Sequence, residues 1–259
     1  MKTVTIRNEF SELKEFTTNL PQTFDRVGSV IHNGRNVIKK VSTDKGMLVV
    51  KNFKGMYFFN RLAYSLFRES KAARSYSYSR ILNEKGIMTP PHVGWLDCYS
   101  GGILNRSYFV SVFEPHQTLQ EKIQYYNVYD PERKTMLFRH LAQFILKLHK
   151  LGIYHEDLSL GNILVIRTIN GYDFELVDLN RIKFREVPFI EGLQNFATLK
   201  MSREDLNYLI EEYAKLTGHN SATAIEKFWK FENRKSFLRR IRKRIRYYTI
   251  HQVEKILTH

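Results

Sequence analysis

The chain is poor in cysteine, in long apolar runs and in acidic residues. Its one cysteine, Cys98, cannot form an intramolecular disulfide, which fits a reducing cytoplasm. No apolar run approaches the roughly 18 residues of a membrane span, and residues 1–9 carry no apolar core of a secretory signal. No cluster of cysteine and histidine suggests a zinc site. These absences favour a cytoplasmic protein without a membrane-spanning helix.

The shortage of acidic residues gives the chain an extreme charge. Lys and Arg number 41 against 26 Asp and Glu, a formal net charge of +15. Such a chain should bind polyanions, meaning nucleic acid, anionic lipid head groups or phosphorylated glycans. Apolar residues make up 43% of the 259 residues, which is enough for one large domain or two lobes with a sizeable core.

The positive charge is concentrated near the C-terminus. Residues 234–246 include eight basic and no acidic residues, while Phe237, Ile241, Ile245 and Tyr248 recur on one helical face. We therefore predict a basic amphipathic helix over about 234–250. It either contacts a polyanion, such as an anionic membrane surface or lipid A phosphates, or packs its apolar face on the rest of the protein. No nucleic-acid motif or interleaved stacking aromatics accompany it, so a nucleic-acid partner is not expected.

The strongest chemical signal lies between residues 155 and 180. Asp157 is followed five residues later by Asn162, and Asp178 comes directly after the strand-like run Phe174–Val177. An Asp that orients a hydroxyl, with an Asn and a second Asp that hold Mg²⁺ against phosphates, makes a phosphotransfer site. Residues 162–166 and 174–177 predict two strands, and Asn170-Gly171 predicts the hairpin turn between them. Each residue alone could serve as a cap or turn, but their order, spacing and strand context favour the site.

The remaining pattern predicts an α+β chain. Residues 23–60 resemble short strands with turns at Asn33-Gly34 and Lys45-Gly46, and Met47–Lys51 is a buried strand. We predict helices from about Leu62 to Lys85, ending at Gly86, and from Pro131 to Lys150, with Glu114-Pro115 as a hinge between lobes. Residues after Ser202 are mostly helical, with Ser202–Asp205 as an N-terminal cap. The predicted lobes are residues 1–114 and 115–259.

On these residues the chain resembles the protein-kinase-like superfamily, and more closely the bacterial lipopolysaccharide kinase family of Kdo kinases and core heptose kinases. Three segments carry the closer resemblance: Gly86–Pro90, His155–Leu164 and Val177–Arg181. The resemblance implies a bilobal protein-kinase-like fold, with a small β-rich N-lobe that contains one long helix and a mainly helical C-lobe. ATP would bind in the N-lobe, with Mg²⁺ as the accompanying metal.

The resemblance also implies residue roles. Asp157 is similar to the catalytic-loop Asp, and Asn162 and Asp178 to the two metal ligands. Lys51 is similar to the strand lysine that binds the α- and β-phosphates, and Glu69 is the preferred candidate for its acidic partner. No Gly-rich loop precedes Lys51, so the residues 33–36, including Asn33 and Gly34, are expected to cover the phosphates. His155 is expected to brace the catalytic loop.

Two departures from protein kinases bear on the acceptor. Glu156 replaces an arginine that senses a phosphorylated activation loop, and Ser159 replaces a lysine beside the catalytic Asp. Both favour a small-molecule or glycolipid acceptor over a protein.

The expected function is therefore ATP-dependent phosphorylation of an inner-core sugar hydroxyl, with the lipopolysaccharide precursor Kdo-lipid A as acceptor. The protein is expected in the cytoplasm, peripheral on the cytoplasmic face of the inner membrane, and its oligomeric state is not predicted. The alternatives are a kinase of a core heptose or of another small hydroxylated molecule, and an inactive membrane-bound pseudokinase scaffold. The strongly basic chain argues against cationic acceptors, and the retained Lys51, Asp157, Asn162 and Asp178 argue against the scaffold.

Overall fold

The computed structural model describes residues 1–53 and 69–257, with side chains up to Ile241. The chain forms two compact units. The first consists of Met1–Tyr129 and Leu160–Ile182, and the second of Asp130–Ser159 and Lys183–His259. The predicted lobe boundary at residues 114 and 115 stays a prediction, and the compact units are described below one at a time.

A six-stranded antiparallel sheet forms the body of the first unit. Its order is β1-β5-β6-β4-β3-β2, and every neighbouring pair is antiparallel. The strands are β1 (Lys2–Ile6), β2 (Ser29–Asn33), β3 (Val37–Thr43), β4 (Gly46–Asn52), β5 (His92–Ser100) and β6 (Ile103–Val112). The predicted strand at Met47–Lys51 falls within this sheet as part of β4.

One face of the sheet packs against the N-terminal helix α1 (Lys14–Thr23). Leu20 and Phe24 of this segment share a buried cluster with Leu48 and Val50, which alternate with less buried residues along β4. Lys39 closes the end of α1, since its buried Nζ donates to the carbonyl oxygens of Phe24, Asp25 and Val27 at 2.7, 3.2 and 3.1 Å. An ammonium at the negative end of a helix is stabilising.

Helix α2 spans Lys71–Glu84. The Ser70 side chain caps it by accepting a hydrogen bond from the Ala73 amide at 3.0 Å, and Gly86 follows it with φ of +67°. The predicted end at Gly86 is confirmed. The predicted start near Leu62 lies outside the described residues, and the helix begins at Lys71 because Ser70 is its N-cap.

The first unit also contains a small three-stranded sheet. Strand β7 (Gln117–Thr118) leads into helix α3 (Leu119–Tyr129), and β9 (Ile163–Thr168) pairs with both β7 and β10 (Gly171–Leu176). The predicted hairpin is therefore confirmed. Because Thr168 pairs with Gly171, its turn residues are Ile169 and Asn170, one position earlier than predicted.

The second unit is mainly helical. Helix α4 (Pro131–Lys150) has the predicted bounds and buries Leu137, Leu141, Ile145 and Leu148. After β8 (Ile153–His155) and its partner β11 (Ile182–Phe184) come α5 (Phe189–Asn195), α6 (Arg203–Leu216) and α7 (Ser221–Leu257). The predicted cap of α6 is confirmed, since the Ser202 hydroxyl accepts from the Asp205 amide at 3.1 Å.

The 37-residue helix α7 contains the whole segment 234–250 that was predicted to be helical. Ile245 and Tyr248 of the predicted apolar stripe lie beyond the described side chains. In the described part of the chain, no helix has both the length and the apolar character needed to cross a membrane.

Candidate active site

Lys51 and Asp178 meet in the first unit. Lys51 stands near the end of β4 with its side chain 10% exposed, and its Nζ lies 2.5 Å from Asp178 Oδ1. A lysine so poorly exposed needs a charged or strongly polar partner, because burial of an unpaired ammonium is costly. The carboxylate of Asp178 is the charged partner of Lys51 in this structure.

Asp178 adopts a left-handed backbone conformation, with φ of 56° and ψ of 51°. It follows β10 by two residues and begins the 3₁₀ turn Leu179–Arg181, and Asn180 Nδ2 donates to its Oδ1 at 2.5 Å. A non-glycine residue in this region costs free energy and is held only when its surroundings require it, as at many functional sites. Lys51 and Asn180 supply two donors that hold the carboxylate in place.

Asn162 lies at the same end of the β9–β10 hairpin. It is the last residue of the 3₁₀ turn Leu160–Asn162, directly before β9, and its carbonyl oxygen accepts from the Val177 amide at 3.0 Å. Asn162 and Asp178 therefore lie at the same, open end of one strand pair. Carboxylate and amide oxygens suit Mg²⁺, which usually takes one or two protein ligands together with waters and phosphates. No three His, Cys, Asp or Glu residues group into a metal site in the described ranges, and Mg²⁺ does not need such a group.

Asp157 stands in a loop of the second unit that is closed by its own backbone. The Asp157 amide donates to His155 Nδ1 at 3.1 Å, and the Asp157 carbonyl oxygen accepts from the Ser159 amide at 2.7 Å. His155 is fully buried, Asp157 is half-buried and Glu156 is exposed. The expected bracing role of His155 agrees with this geometry, because its ring fixes the amide that precedes the Asp157 side chain.

Two side chains from the segment after β11 anchor the same loop. Asn195 Nδ2 donates to the His155 carbonyl oxygen at 2.9 Å, and the Thr198 hydroxyl donates to the Leu158 carbonyl oxygen at 2.9 Å. The loop that carries Asp157 is thus held on both sides. Sequence analysis missed Asn195 and Thr198, because nothing local in the chain connects them with residues 40 positions earlier.

A buried chain of hydrogen bonds fixes Asn195 in turn. Since the Asn195 amide nitrogen donates to His155, its Oδ1 accepts from His149 Nε2 at 3.2 Å, and His149 Nδ1 accepts from the Tyr213 hydroxyl at 2.8 Å. Burial lowers the pKa of His149 to about 4, against an opposing effect of the Asn195 hydrogen bond. Burial raises the pKa of Tyr213 to about 12. Both groups are neutral at pH 7, as this donor order requires.

The remaining predicted site residues are Asn33 and Gly34, at the turn between β2 and β3, and Glu69, just before α2. Residues 34–36 form the turn between β2 and β3, at the same end of the sheet as Lys51, because Val37 pairs with Asn52 and Ile38 with Lys51. Asn33 and Gly34 are exposed at this turn. Glu69 is exposed and precedes the N-cap of α2, so the position of this side chain gives no support to Glu69 as the partner of Lys51.

The fold and these residues define a class. An N-terminal antiparallel sheet that bears Lys51, a mainly helical C-terminal part and a hairpin between Asn162 and Asp178 are the features of a protein-kinase-like fold. Residues 33–223, more than half of the chain, match the lipopolysaccharide kinase (Kdo/WaaP) family, and the chain belongs to this family. Membership supports an ATP-dependent phosphotransferase of lipopolysaccharide biosynthesis.

The solved structures support the fold. The chain is similar to one described as "WaaP in complex with acyl carrier protein", with a TM-score of 0.62 and 17% sequence identity. The similarity covers 90% of this chain and 97% of that chain. None of the curated protein sequences matches the chain significantly. The prediction of a protein-kinase-like α+β fold is confirmed.

Proposed function

We propose that this protein transfers the γ-phosphoryl group of ATP to a hydroxyl of the lipopolysaccharide inner core, with Kdo on lipid A as the acceptor. The observation that carries the proposal is the contact between Lys51 and Asp178 beside Asn162 in the first unit. It is the nucleotide-phosphate and metal half of a phosphotransfer site. The family supplies the glycolipid class of the acceptor.

The proposed roles follow from the chemistry of each side chain. Lys51 binds nucleotide phosphates with its ammonium, and Asp178 and Asn162 hold Mg²⁺ through their oxygens. Mg²⁺, when bound, offsets the negative charge of the phosphates. Asp157 orients the acceptor hydroxyl and accepts its proton, and its anchored loop keeps that carboxylate in position. Positioning and electrostatic stabilisation supply most of the rate enhancement in such a site.

A core heptose is the second candidate acceptor. The matched family joins Kdo and WaaP kinases, and the similar solved structure is a WaaP protein. Glu156 and Ser159 occupy the positions at which protein-substrate kinases typically have an arginine and a lysine. Glu156 is exposed beside Asp157, and Ser159 is half-buried. Both acceptors are glycolipids with the same kind of reacting hydroxyl, and the choice between them requires an assay.

Mass spectrometry of Kdo-lipid A after incubation with the protein, Mg²⁺ and ATP tests the proposal. We expect the wild type to add one phosphate, and Asp157→Asn to lower the rate by about 10³-fold, the middle of the usual range for loss of general-base catalysis. Asp178→Ala should also abolish transfer. Asp173→Asn is the matched control, because Asp173 is exposed on the same hairpin as Asp178.

Three results would revise the proposal. Phosphate added to a heptose-containing core and not to Kdo-lipid A would move the acceptor to heptose. Near-normal turnover by Asp157→Asn would refute the catalytic role of Asp157. Absence of both transfer and ATP binding in the wild type would favour a catalytically inactive, membrane-bound scaffold.

We also propose that α7 places the protein on the cytoplasmic face of the inner membrane. The alternative, in which the apolar stripe packs on the rest of the protein, predicts that the first residues of this stripe, Phe237 and Ile241, are buried. Phe237, Leu238 and Ile241 are instead 58%, 45% and 38% exposed. Apolar side chains among arginines and lysines suit the head-group region of an anionic bilayer.

A further inference from the structure

Four basic side chains gather around Lys51 in the first unit, which makes a group of five. We call this group, comprising Arg35, Lys51, Lys71, Arg74 and Arg181, the cation cluster. The roles proposed above use one of its members, Lys51. The other four come from three different elements, so their convergence is a property of the fold and not of a local basic run.

The fold positions each member of the cation cluster. Arg35 is the middle residue of the turn 34–36, which the strand register places at the Lys51 end of the sheet. Lys71 and Arg74 lie three residues apart in the first turn of α2 and therefore share a face of this helix. Helix α2 packs against the 3₁₀ turn Leu179–Arg181, which follows Asp178 and carries Arg181.

The other four members of the cation cluster act on the charge of Lys71. Its ammonium is half-buried, and burial lowers the pKa of Lys71, with further lowering from the positive charges of Arg35, Arg74, Arg181 and Lys51. These positive charges lower the pKa of Lys71 because they repel its ammonium. Asp178 contacts Lys51 and offsets one of the charges.

Arg74 adds a second and independent observation. Its Nε is shielded from solvent and makes no hydrogen bond to any residue in the described ranges. A buried donor without an acceptor costs about 1–3 kcal/mol, more if it is charged. The first turn of α2 contains no acidic residue that could accept a hydrogen bond from Arg74. Both the repulsion and the missing acceptor would be relieved by an anion.

We propose that the cation cluster is a phosphate-binding site that extends beyond the contact made by Lys51. Its ligand is a phosphate group with several acceptor oxygens, which arginine side chains bind through paired N–H donors. Two sources have this chemistry: the terminal phosphates of the nucleotide, and a phosphate of the glycolipid acceptor. The identity of these two sources rests on the proposed function, whereas the binding of phosphate does not.

Calorimetric titration of the full chain tests the proposal without requiring turnover. The ligands are inorganic tripolyphosphate, ATP with Mg²⁺, and Kdo-lipid A with and without its phosphate groups. The variants are Lys71→Gln and Arg74→Gln. Arg80→Gln is the matched control, because Arg80 lies on the same helix, is exposed and pairs with Glu84. Thermal unfolding of each variant shows whether it is folded.

We expect Lys71→Gln and Arg74→Gln each to weaken tripolyphosphate binding about tenfold or more, the usual effect of a lost charge-assisted hydrogen bond, with Arg80→Gln unchanged. A parallel loss for ATP assigns the ligand to the nucleotide. A loss confined to phosphorylated Kdo-lipid A assigns it to the acceptor. Either result stands even if no phosphate transfer is detected. Unchanged binding of all ligands by folded Lys71→Gln and Arg74→Gln, or no anion binding by the wild type, would overturn the proposal.

Discussion

The carbonyl oxygen of His155 is a small group on which the position of Asp157 depends. It lies two residues before Asp157, whose carboxylate is the proposed catalytic group, and it accepts a hydrogen bond from the buried amide of Asn195. In water that carbonyl would bind solvent, but here it is enclosed and needs a protein donor. Asn195 is therefore a positioning residue that acts on Asp157 through the backbone of its loop.

Asn195→Ala should lower kcat for phosphate transfer about tenfold and leave the KM for ATP unchanged, because Lys51 and Asp178 belong to the other unit. Thr198→Val, which removes the donor to the Leu158 carbonyl oxygen, should act in the same direction. Steady-state kinetics with both substrates measure this split between kcat and KM. Asn233→Ala, an exposed position on α7, is the control. Equal changes in kcat and in the KM for ATP would indicate general destabilisation.

At the residue scale, the sequence predicted what is encoded by local spacing. Asn162 and Asp178 are separated by one short hairpin, whose predicted strands place them at the same end, and Asp157 precedes Asn162 by five residues. The Asp178 carboxylate that contacts Lys51 lies 127 residues away in the chain, whereas Glu69 was preferred because it lies early in the predicted helix. The cation cluster also was not predicted from the sequence, since its members are separated by as many as 146 positions.

At the scale of helices and strands, the best predictions rested on end signals. Helix α4 starts at Pro131 after the cap Asp130, and α6 follows Ser202, because these residues satisfy the free amides of a first turn. The strand β1 and the helix α1 received no prediction. Strand β1 pairs with β5, from Lys2 with Cys98 to Ile6 with Gly94, and α1 contains Pro21. The paired residues of β1 and β5 are far apart in the chain, so a short stretch of sequence carries no sign of their pairing.

Ser202→Ala should lower the free energy of unfolding by about 1 kcal/mol, because the Asp205 amide loses its acceptor at the start of α6. Urea denaturation measures this difference through the midpoint. Ser236→Ala is a matched control in the interior of α7, where alanine is the better helix former. A Ser202→Ala midpoint equal to that of wild type would show that the cap contributes no stability.

At the scale of the whole molecule, the net charge of +15 is the property that most affects its partners. Helix α7 concentrates that charge, and its exposed apolar side chains lie among basic ones. Electrostatic attraction to an anionic surface contributes about 1 kcal/mol per basic residue and decays within a Debye length, so binding through α7 must depend on salt.

Replacement of Arg234, Lys235 and Arg240 together by Gln should weaken binding to vesicles that contain anionic lipid by about a hundredfold, following this figure per residue. Sedimentation with vesicles at low and high salt measures the effect, and wild-type binding should fall as salt rises. The control replaces three exposed lysines elsewhere, Lys14, Lys45 and Lys85, by Gln. Equal losses in both triple variants would mean that overall charge, and not α7, drives binding.

The division of the chain into two units that interrupt each other limits how the protein can be dissected. A fragment that ends at Tyr129 contains Lys51 but lacks the hairpin and Asp178, so its sheet would lose the carboxylate that pairs with the lysine. Neither unit can be produced as one uninterrupted fragment. Complementation between separately expressed pieces would require a cut inside one of the units, and the exposed turn at Ile169 and Asn170 is a suitable place. Cleavage there leaves Asp157 and Asn162 on the first piece and Asp178 on the second, so recovery of activity on mixing would report reassembly of β9 with β10.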